Sequence, residues 1–104
     1  MKEKILFVNS CVRGDNESRT LALAKTALNR LDGDIEEIRL ADANLKPLDA
    51  AGLAKRAESA EKNDFSDPVY DCAKQFAACD TVVIAAPFWD YSFPAFLKIY
   101  IESL

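Results

Sequence analysis

The chain has 104 residues, of which 50% are hydrophobic and 29% are charged, and this composition is typical of one globular domain, residues 1–104. Its formal net charge of −4, with no basic cluster, argues against nucleic-acid binding. The sequence contains no histidine, which excludes imidazole metal sites and histidine acid–base catalysis, so we expect no metal and infer that any chemistry depends on a cofactor.

The N-terminal third predicts a strand, a loop and a helix. Residues 5–8 form a continuous apolar run, as expected for a strand that is covered on both faces. A polar loop follows at residues 9–18, where Asn16 or Ser18 is the expected helix N-cap. The helix is predicted from apolar residues at helical spacing, which are Leu21, Ala24, Leu28 and Leu31.

The middle of the chain predicts an edge strand and two helices. Residues 35–40 include three charged side chains, so this strand is expected at the edge of the sheet. Residues 50–62 are rich in Ala, Glu and Lys and predict a solvated helix. Asp67-Pro68 is a typical helix start. The inward stripe of this next helix is expected to be Val69, Cys72, Ala73 and Phe76.

The last quarter predicts a second buried strand and a final helix. Residues 81–86 are an apolar, β-branched run, and Pro94 opens a strongly apolar helical segment. If the strand lies at the end of the sheet, its outer edge has no partner. Strands that alternate with helices in this way indicate an α/β fold with a parallel sheet and right-handed crossovers.

The cysteines and the apolar runs bear on location. Three cysteines, an odd number, are typical of a reducing compartment, and Cys72 and Cys79 lie too far apart on one helix to form a disulfide. Cys11 is either a reactive thiol or a bystander. No signal peptide is visible and no apolar run is long enough to cross a membrane, so we expect a cytoplasmic protein without membrane contact.

Two loops are candidates for ligand binding. The loop after the first strand combines a helix N-terminus with polar side chains at Ser10, Asn16 and Ser18, which favours a phosphate. The loop at residues 87–94 holds four aromatic side chains, which suit a planar ring. Alternatively, the first loop only turns the chain, and the aromatics cover a core or an oligomer interface.

The two loops meet if the strand order is 2-1-3, because the first and third strands are then neighbours at the topological switch point. A phosphate seat beside an aromatic wall describes a site for flavin mononucleotide (FMN).

Residues 5–10, 16–21 and 87–102 resemble the flavodoxin-2 group of NAD(P)H-dependent FMN oxidoreductases, which includes azoreductases and NAD(P)H–quinone reductases. The spacing of Pro87 and Pro94 and the pair Leu97-Lys98 carry the closest match. The resemblance implies a flavodoxin-like three-layer sandwich with strand order 2-1-3. It also implies hydride transfer from NAD(P)H through FMN to a quinone or azo acceptor, in a homodimer.

The resemblance also assigns binding residues but no catalytic residue. The FMN phosphate would be held by Ser10, Asn16, Ser18 and the backbone of Glu17. The isoalloxazine ring would be lined by Pro87, Phe88, Trp89, Asp90 and Tyr91.

The resemblance covers only the N-terminal half of the family domain, so we expect a chain truncated before strands 4 and 5, with an incomplete flavin site. Two alternatives remain open at this point. One is a small flavodoxin-type electron carrier, and the other is a flavin-free module that self-associates through its exposed strand or last helix.

Overall fold

A computed structural model describes residues 3–11, 19–87 and 94–104. Three parallel strands form one sheet in the order β2-β1-β3, as predicted. The strands are β1 (Glu3–Asn9), β2 (Gly33–Arg39) and β3 (Thr81–Ala85). The helices are α1 (Arg19–Leu28), α2 (Ala50–Lys62), α3 (Asp71–Ala78) and α4 (Ala95–Glu102), with short 3-10 turns at Leu40–Asp42 and Pro68–Tyr70.

Strand β1 lies in the middle of the sheet and its residues 5–9 are buried. Ile5 and Phe7 point to one face, where they pack against α1 residues Leu21, Ala24 and Leu28. Leu6 and Val8 point to the other face, where they pack against Leu40, Leu97 and Tyr100. Strand β1 is therefore covered on both faces, which explains why it is apolar at successive positions and not only at alternate ones.

Helix α1 is shorter than predicted. Leu21, Ala24 and Leu28 are buried as expected, but the helix ends at Leu28, so the prediction that Leu31 continues its inward stripe is wrong. Leu31 is exposed in a turn, where its N–H donates to the carbonyl of Leu28 at 3.1 Å. The chain has to leave the helix there, because β2 begins at Gly33. The predicted N-caps Asn16 and Ser18 lie outside the described residues.

The inward stripe predicted for the helix after Asp67 is wrong at two positions. Asp67 caps a 3-10 turn and not the α-helix itself, and its Oδ1 accepts from the N–H of Val69 at 2.9 Å. A 3-10 turn has three residues per turn, so Val69 falls out of phase with α3 and is exposed. Phe76 is also exposed, because the last turns of α3 present Gln75 to the sheet, where its amide donates to Glu36. Cys72 packs against the core as predicted.

Helix α2 spans the predicted residues but buries none of them. The helix is capped at both ends, and two of its basic side chains bond to neighbouring elements. The side chain of Asp49 accepts from the N–H of Gly52 at 2.8 Å, and Asn63 ends the helix in the left-handed region with φ of 53°. Lys55 pairs with Asp67 at 2.6 Å, and Arg56 donates to the carbonyl of Glu102 at 3.3 Å.

The two outer edges of the sheet differ in charge. Strand β2 carries Asp34, Glu36, Glu37 and Arg39, which fits its predicted edge position. Strand β3 contains no charged residue, and in the described part of the chain it pairs only with β1.

Candidate functional site

Ser10 joins the carboxyl ends of β1 and β3. Its N–H donates to the carbonyl of Ala85 at 3.0 Å, and its Oγ donates to the same oxygen at 2.5 Å. The residue is only 2% exposed, so this link lies inside the protein. The carboxyl ends of β1 and β3 therefore lie side by side, at the switch point where open α/β sheets bind ligands.

Asn9 joins the carboxyl ends of β1 and β2. Its Nδ2 donates to Glu37 Oε2 at 3.1 Å, and its Oδ1 accepts from the N–H of Cys11 at 3.0 Å. Glu37 Oε2 also lies 3.0 Å from Nε of Arg39. The three strand ends are thus tied together by two consecutive residues, Asn9 and Ser10.

Sequence reasoning did not identify the Asn9–Glu37–Arg39 network. The available signal was weak, because it consisted only of a polar residue directly after a buried apolar run. The partner, Glu37, is separated from Asn9 by 28 residues, and it is placed by the β1–β2 register that pairs Asn9 with Arg39.

Between the carboxyl ends of β1 and β3, the described surface is built from small, uncharged side chains. Cys11, Ala86 and Pro87 are half-buried, and they continue the register in which Ser10 bonds to Ala85. Pro87 has no N–H, so it cannot extend the hydrogen-bonded ladder. Such a surface allows the close approach of a flat ring, with polar contacts left to the adjoining loops.

The structure brings two of the sequence-predicted site residues, Ser10 and Pro87, to this one edge. The others lie outside the described residues: Asn16, Glu17, Ser18, Phe88, Trp89, Asp90 and Tyr91. Their roles remain predictions. The role of Ser10 in phosphate binding also remains a prediction, and in this structure both of its hydrogen-bond donors bond Ala85.

The charges at this edge fit a phosphate-bearing cofactor. Helix α1 starts at Arg19, which is exposed, and the βα connection brings the positive end of the helix to the carboxyl edge of the sheet. Arg19 adds a second source of positive potential beside that helix end. The donors for a phosphate are therefore expected from the helix end and the preceding loop.

A second group of polar side chains lies around Tyr100, on the face of the sheet that packs against α4. Tyr100 is 1% exposed and its hydroxyl has no hydrogen-bond partner among the described residues. Burial raises the pKa of Tyr100 to about 12. Burial likewise raises the pKa of the neighbouring Cys72 thiol, so this thiol is a poor nucleophile at neutral pH.

The described ranges contain no group of three or more potential metal ligands. None of the helices described is both long and apolar enough to span a membrane. All three cysteines, each within the described ranges, are free.

A parallel 2-1-3 sheet with adjacent loops after β1 and β3 defines a flavodoxin-like α/β protein. The chain belongs to the flavodoxin-2 family, because the sequence model of that family, described as a flavodoxin-like fold, matches residues 3–104.

Two curated relatives are named FMN-dependent NADH:quinone oxidoreductases. The one from Clostridium perfringens is 31% identical over 104 residues, which are 95% of this chain and 52% of the relative. The one from Stenotrophomonas maltophilia is 34% identical over 104 residues, which are 97% of this chain and 51% of the relative. The chain therefore spans about half the length of the curated relatives it matches.

Solved azoreductases share the fold. An FMN-dependent NADH-azoreductase from Bacillus anthracis, solved in complex with FMN, superposes with a TM-score of 0.76 at 22% identity. The alignment covers 97% of this chain and 55% of that structure. A second azoreductase from Bacillus anthracis has a TM-score of 0.74 at 23% identity, over 98% of this chain and 55% of the other.

Proposed function

We propose that this chain binds FMN and contributes to an NAD(P)H-dependent reduction of quinone or azo acceptors. The observation that carries the proposal is the double hydrogen bond from Ser10 to Ala85, because it holds the carboxyl ends of β1 and β3 together at one end of the sheet. The names of the curated relatives support the same cofactor, donor and acceptor.

The residues of this chain would bind and orient the cofactor. The phosphate is assigned to Ser10, Asn16, Ser18 and the backbone of Glu17, close to the positive end of α1. The ring is assigned to the loop formed by Pro87, Phe88, Trp89, Asp90 and Tyr91. FMN, when bound, supplies the redox chemistry by accepting hydride from NAD(P)H and passing it to the acceptor.

The proposal has three finer parts. Residues 1–104 act as one flavodoxin-like domain that corresponds to the N-terminal portion of the family fold. The protein works in the cytoplasm, which fits three free cysteines. It works as a homodimer.

Titration with FMN tests the proposal directly. FMN at a hundred times its dissociation constant should stabilise the fold by about 2.7 kcal/mol. Flavin fluorescence should be quenched on binding, because the ring is expected to stack against aromatic side chains. The absence of both a thermal shift and quenching at millimolar FMN would contradict the proposal.

Two variants test where the cofactor sits. Ser18→Ala should weaken FMN binding through the phosphate, and Trp89→Ala should weaken it through the ring. Thr26→Ala is the control, because Thr26 lies on the exposed side of α1, where its hydroxyl donates to Ala22 at 3.0 Å. If both site variants titrate like the parent, the site is misplaced.

Consumption of NADH with a quinone acceptor separates the oxidoreductase from an electron carrier. An oxidoreductase should consume NADH continuously when FMN and the quinone are present. A chain that binds FMN but leaves NADH unchanged would instead act as a flavodoxin-type carrier, for which its net charge of −4 is suitable.

A further inference from the structure

The side chain of Asn9 connects strand β2 to the start of the loop after β1. Asn9 is only 2% exposed, so the oxygen and the nitrogen of its amide both need partners from the protein. Its Oδ1 accepts from the N–H of Cys11 at 3.0 Å, and its Nδ2 donates to Glu37 Oε2 at 3.1 Å. The amide therefore joins the backbone that leads into the loop to a carboxylate on β2.

The carboxylate of Glu37 determines which way round the amide of Asn9 lies. An ionised carboxylate only accepts hydrogen bonds, so it selects Nδ2 and not Oδ1. If the amide were turned over, Oδ1 would face the carboxylate and Nδ2 would face the N–H of Cys11. Both contacts would then join groups of the same kind, acceptor to acceptor and donor to donor. Glu37 thus keeps Oδ1 in the place where it accepts from Cys11.

Arg39 holds the carboxylate of Glu37 in this position. Its Nε lies 3.0 Å from Oε2, the same oxygen that accepts from Asn9. The two charged side chains are 33% and 50% exposed, so their ion pair contributes little to stability. The pair is also not needed to join the strands, since all seven residues of β1 pair with β2 through the backbone. Its specific effect is therefore on the orientation of Asn9.

We propose that Glu37 is a positioning residue for the phosphate-binding loop: through Asn9 it fixes the N–H of Cys11, and so sets how tightly the chain binds the phosphate of FMN. This inference rests on the proposed function, because it concerns the loop to which the phosphate is assigned. The effect is specific for the phosphate. The ring is assigned to the loop after β3, and the end of β3 is held by the bonds from Ser10 to Ala85, which do not involve Glu37.

Two neutral variants at position 37 separate the hydrogen bond from the charge. Glu37→Leu and Glu37→Gln both remove a negative charge, but only glutamine keeps an oxygen that can accept from Asn9. Glu36→Leu is the matched control, because Glu36 is the neighbouring carboxylate on β2 and accepts instead from the amide of Gln75 on α3. Circular dichroism establishes that each variant is folded.

Titration with FMN and with riboflavin, which lacks the phosphate, measures the effect. Glu37→Leu should bind FMN about tenfold more weakly than Glu37→Gln, which is the scale of one lost hydrogen bond, and the two should bind riboflavin equally well. Glu36→Leu should bind both flavins like the parent.

The outcomes distinguish the inference from the proposed function. A parent that binds no FMN overturns the proposed function and this inference with it. If the parent binds FMN and the two variants at position 37 bind it alike, the inference alone is overturned. It is also overturned if Glu37→Leu loses affinity for FMN and riboflavin equally, since the effect would then not depend on the phosphate.

Removal of the amide tests whether Glu37 acts through Asn9. In an Asn9→Ala background, Glu37→Leu and Glu37→Gln should have the same affinity for FMN, because the group that carries the effect is absent. A tenfold difference that persists in this background refutes the positioning role.

Amide hydrogen exchange tests the same link without any flavin. The N–H of Cys11 should exchange faster in Glu37→Leu than in Glu37→Gln, since only the second variant keeps the acceptor that orients Asn9. Equal exchange rates at Cys11 in the two variants contradict the inference.

Discussion

Ser10 directs both its N–H and its Oγ to one carbonyl, that of Ala85, although the two residues are 75 positions apart. A buried side-chain hydrogen bond of this kind contributes about 1 kcal/mol to stability. Its main effect is positional, because it sets the distance between the loops that leave β1 and β3. This residue therefore has a structural role whether or not it also contacts a phosphate.

Ser10→Ala should lower the free energy of unfolding by about 1 kcal/mol, since the hydroxyl bond is lost while the N–H bond to Ala85 remains. Urea unfolding at pH 7 measures this change. Thr26→Ala is the control, because it removes a hydroxyl-to-carbonyl bond on an exposed helix surface and improves helix propensity. Equal destabilisation of both variants would contradict a buried link at Ser10.

Tyr100 is a second residue with a specific energetic signature. Its ring fills the core beside Leu6 and Val8, but its hydroxyl has no partner among the described residues. Removal of an unpaired buried hydroxyl costs nothing in hydrogen bonding. Tyr100→Phe should therefore leave the free energy of unfolding at pH 7 unchanged or raise it by about 1 kcal/mol. A decrease of more than about 1 kcal/mol would show that the hydroxyl is bonded.

The pH dependence of Tyr100 follows from burial, which raises its pKa from 10.0 to about 12. Below pH 10 both the folded and unfolded forms keep the phenol proton, so the full stability is present. As the pH rises from 10 to 12 the unfolded form loses the proton first, and stability falls by up to about 1.4 kcal/mol per pH unit. Unfolding curves at pH 9 and pH 11 should show this loss in the parent and a smaller loss in Tyr100→Phe.

At the scale of elements, α2 and α3 show what composition predicts and what it does not. The bounds of α2 were predicted from its Ala, Glu and Lys content, because a solvated helix is determined by local propensity and caps. The inward face of α3 was not predicted correctly. The 3-10 turn at Pro68–Tyr70 changes which residues of the helix point inward, and Gln75 contacts Glu36 of β2. Which residues of a helix face inward depends on the elements against which the helix packs.

Asn63 tests how α2 is terminated. It has a φ of 53°, a conformation that costs most L-residues about 1–2 kcal/mol and that glycine adopts freely. Asn63→Gly should preserve or raise thermal stability, whereas Asn63→Ala should lower it. The two variants are compared by thermal denaturation followed by circular dichroism. If Ala and Gly behave alike, the left-handed cap does not contribute to stability.

The whole molecule has a sheet whose strand positions were predictable from the chain. A run that is apolar on both faces indicates a central strand, and a charged run indicates an edge, which is how β1 and β2 were placed. The neighbouring carboxyl ends of β1 and β3 were also predictable, since they follow from the strand order. The hydrogen bond between Asn9 and Glu37 was not predictable, because it depends on the exact register of β1 and β2.

The proposed dimer makes stability depend on concentration. Association of folded chains shifts the unfolding equilibrium by mass action, so the melting temperature of the parent should rise with protein concentration. Calorimetry over a hundredfold range of concentration measures this change. A melting temperature of the parent that does not change with concentration contradicts a dimer of folded chains.

The pairing of β1 with β3 also has a consequence for synthesis on the ribosome. Ile5 pairs with Thr81, so the first strand to emerge has to wait for residues made 76 positions later before its second edge is covered. Contacts that distant in sequence form slowly. During translation the most apolar segment near the N-terminus therefore stays without its partner until β3 emerges, and in that interval the nascent chain is most in need of a chaperone.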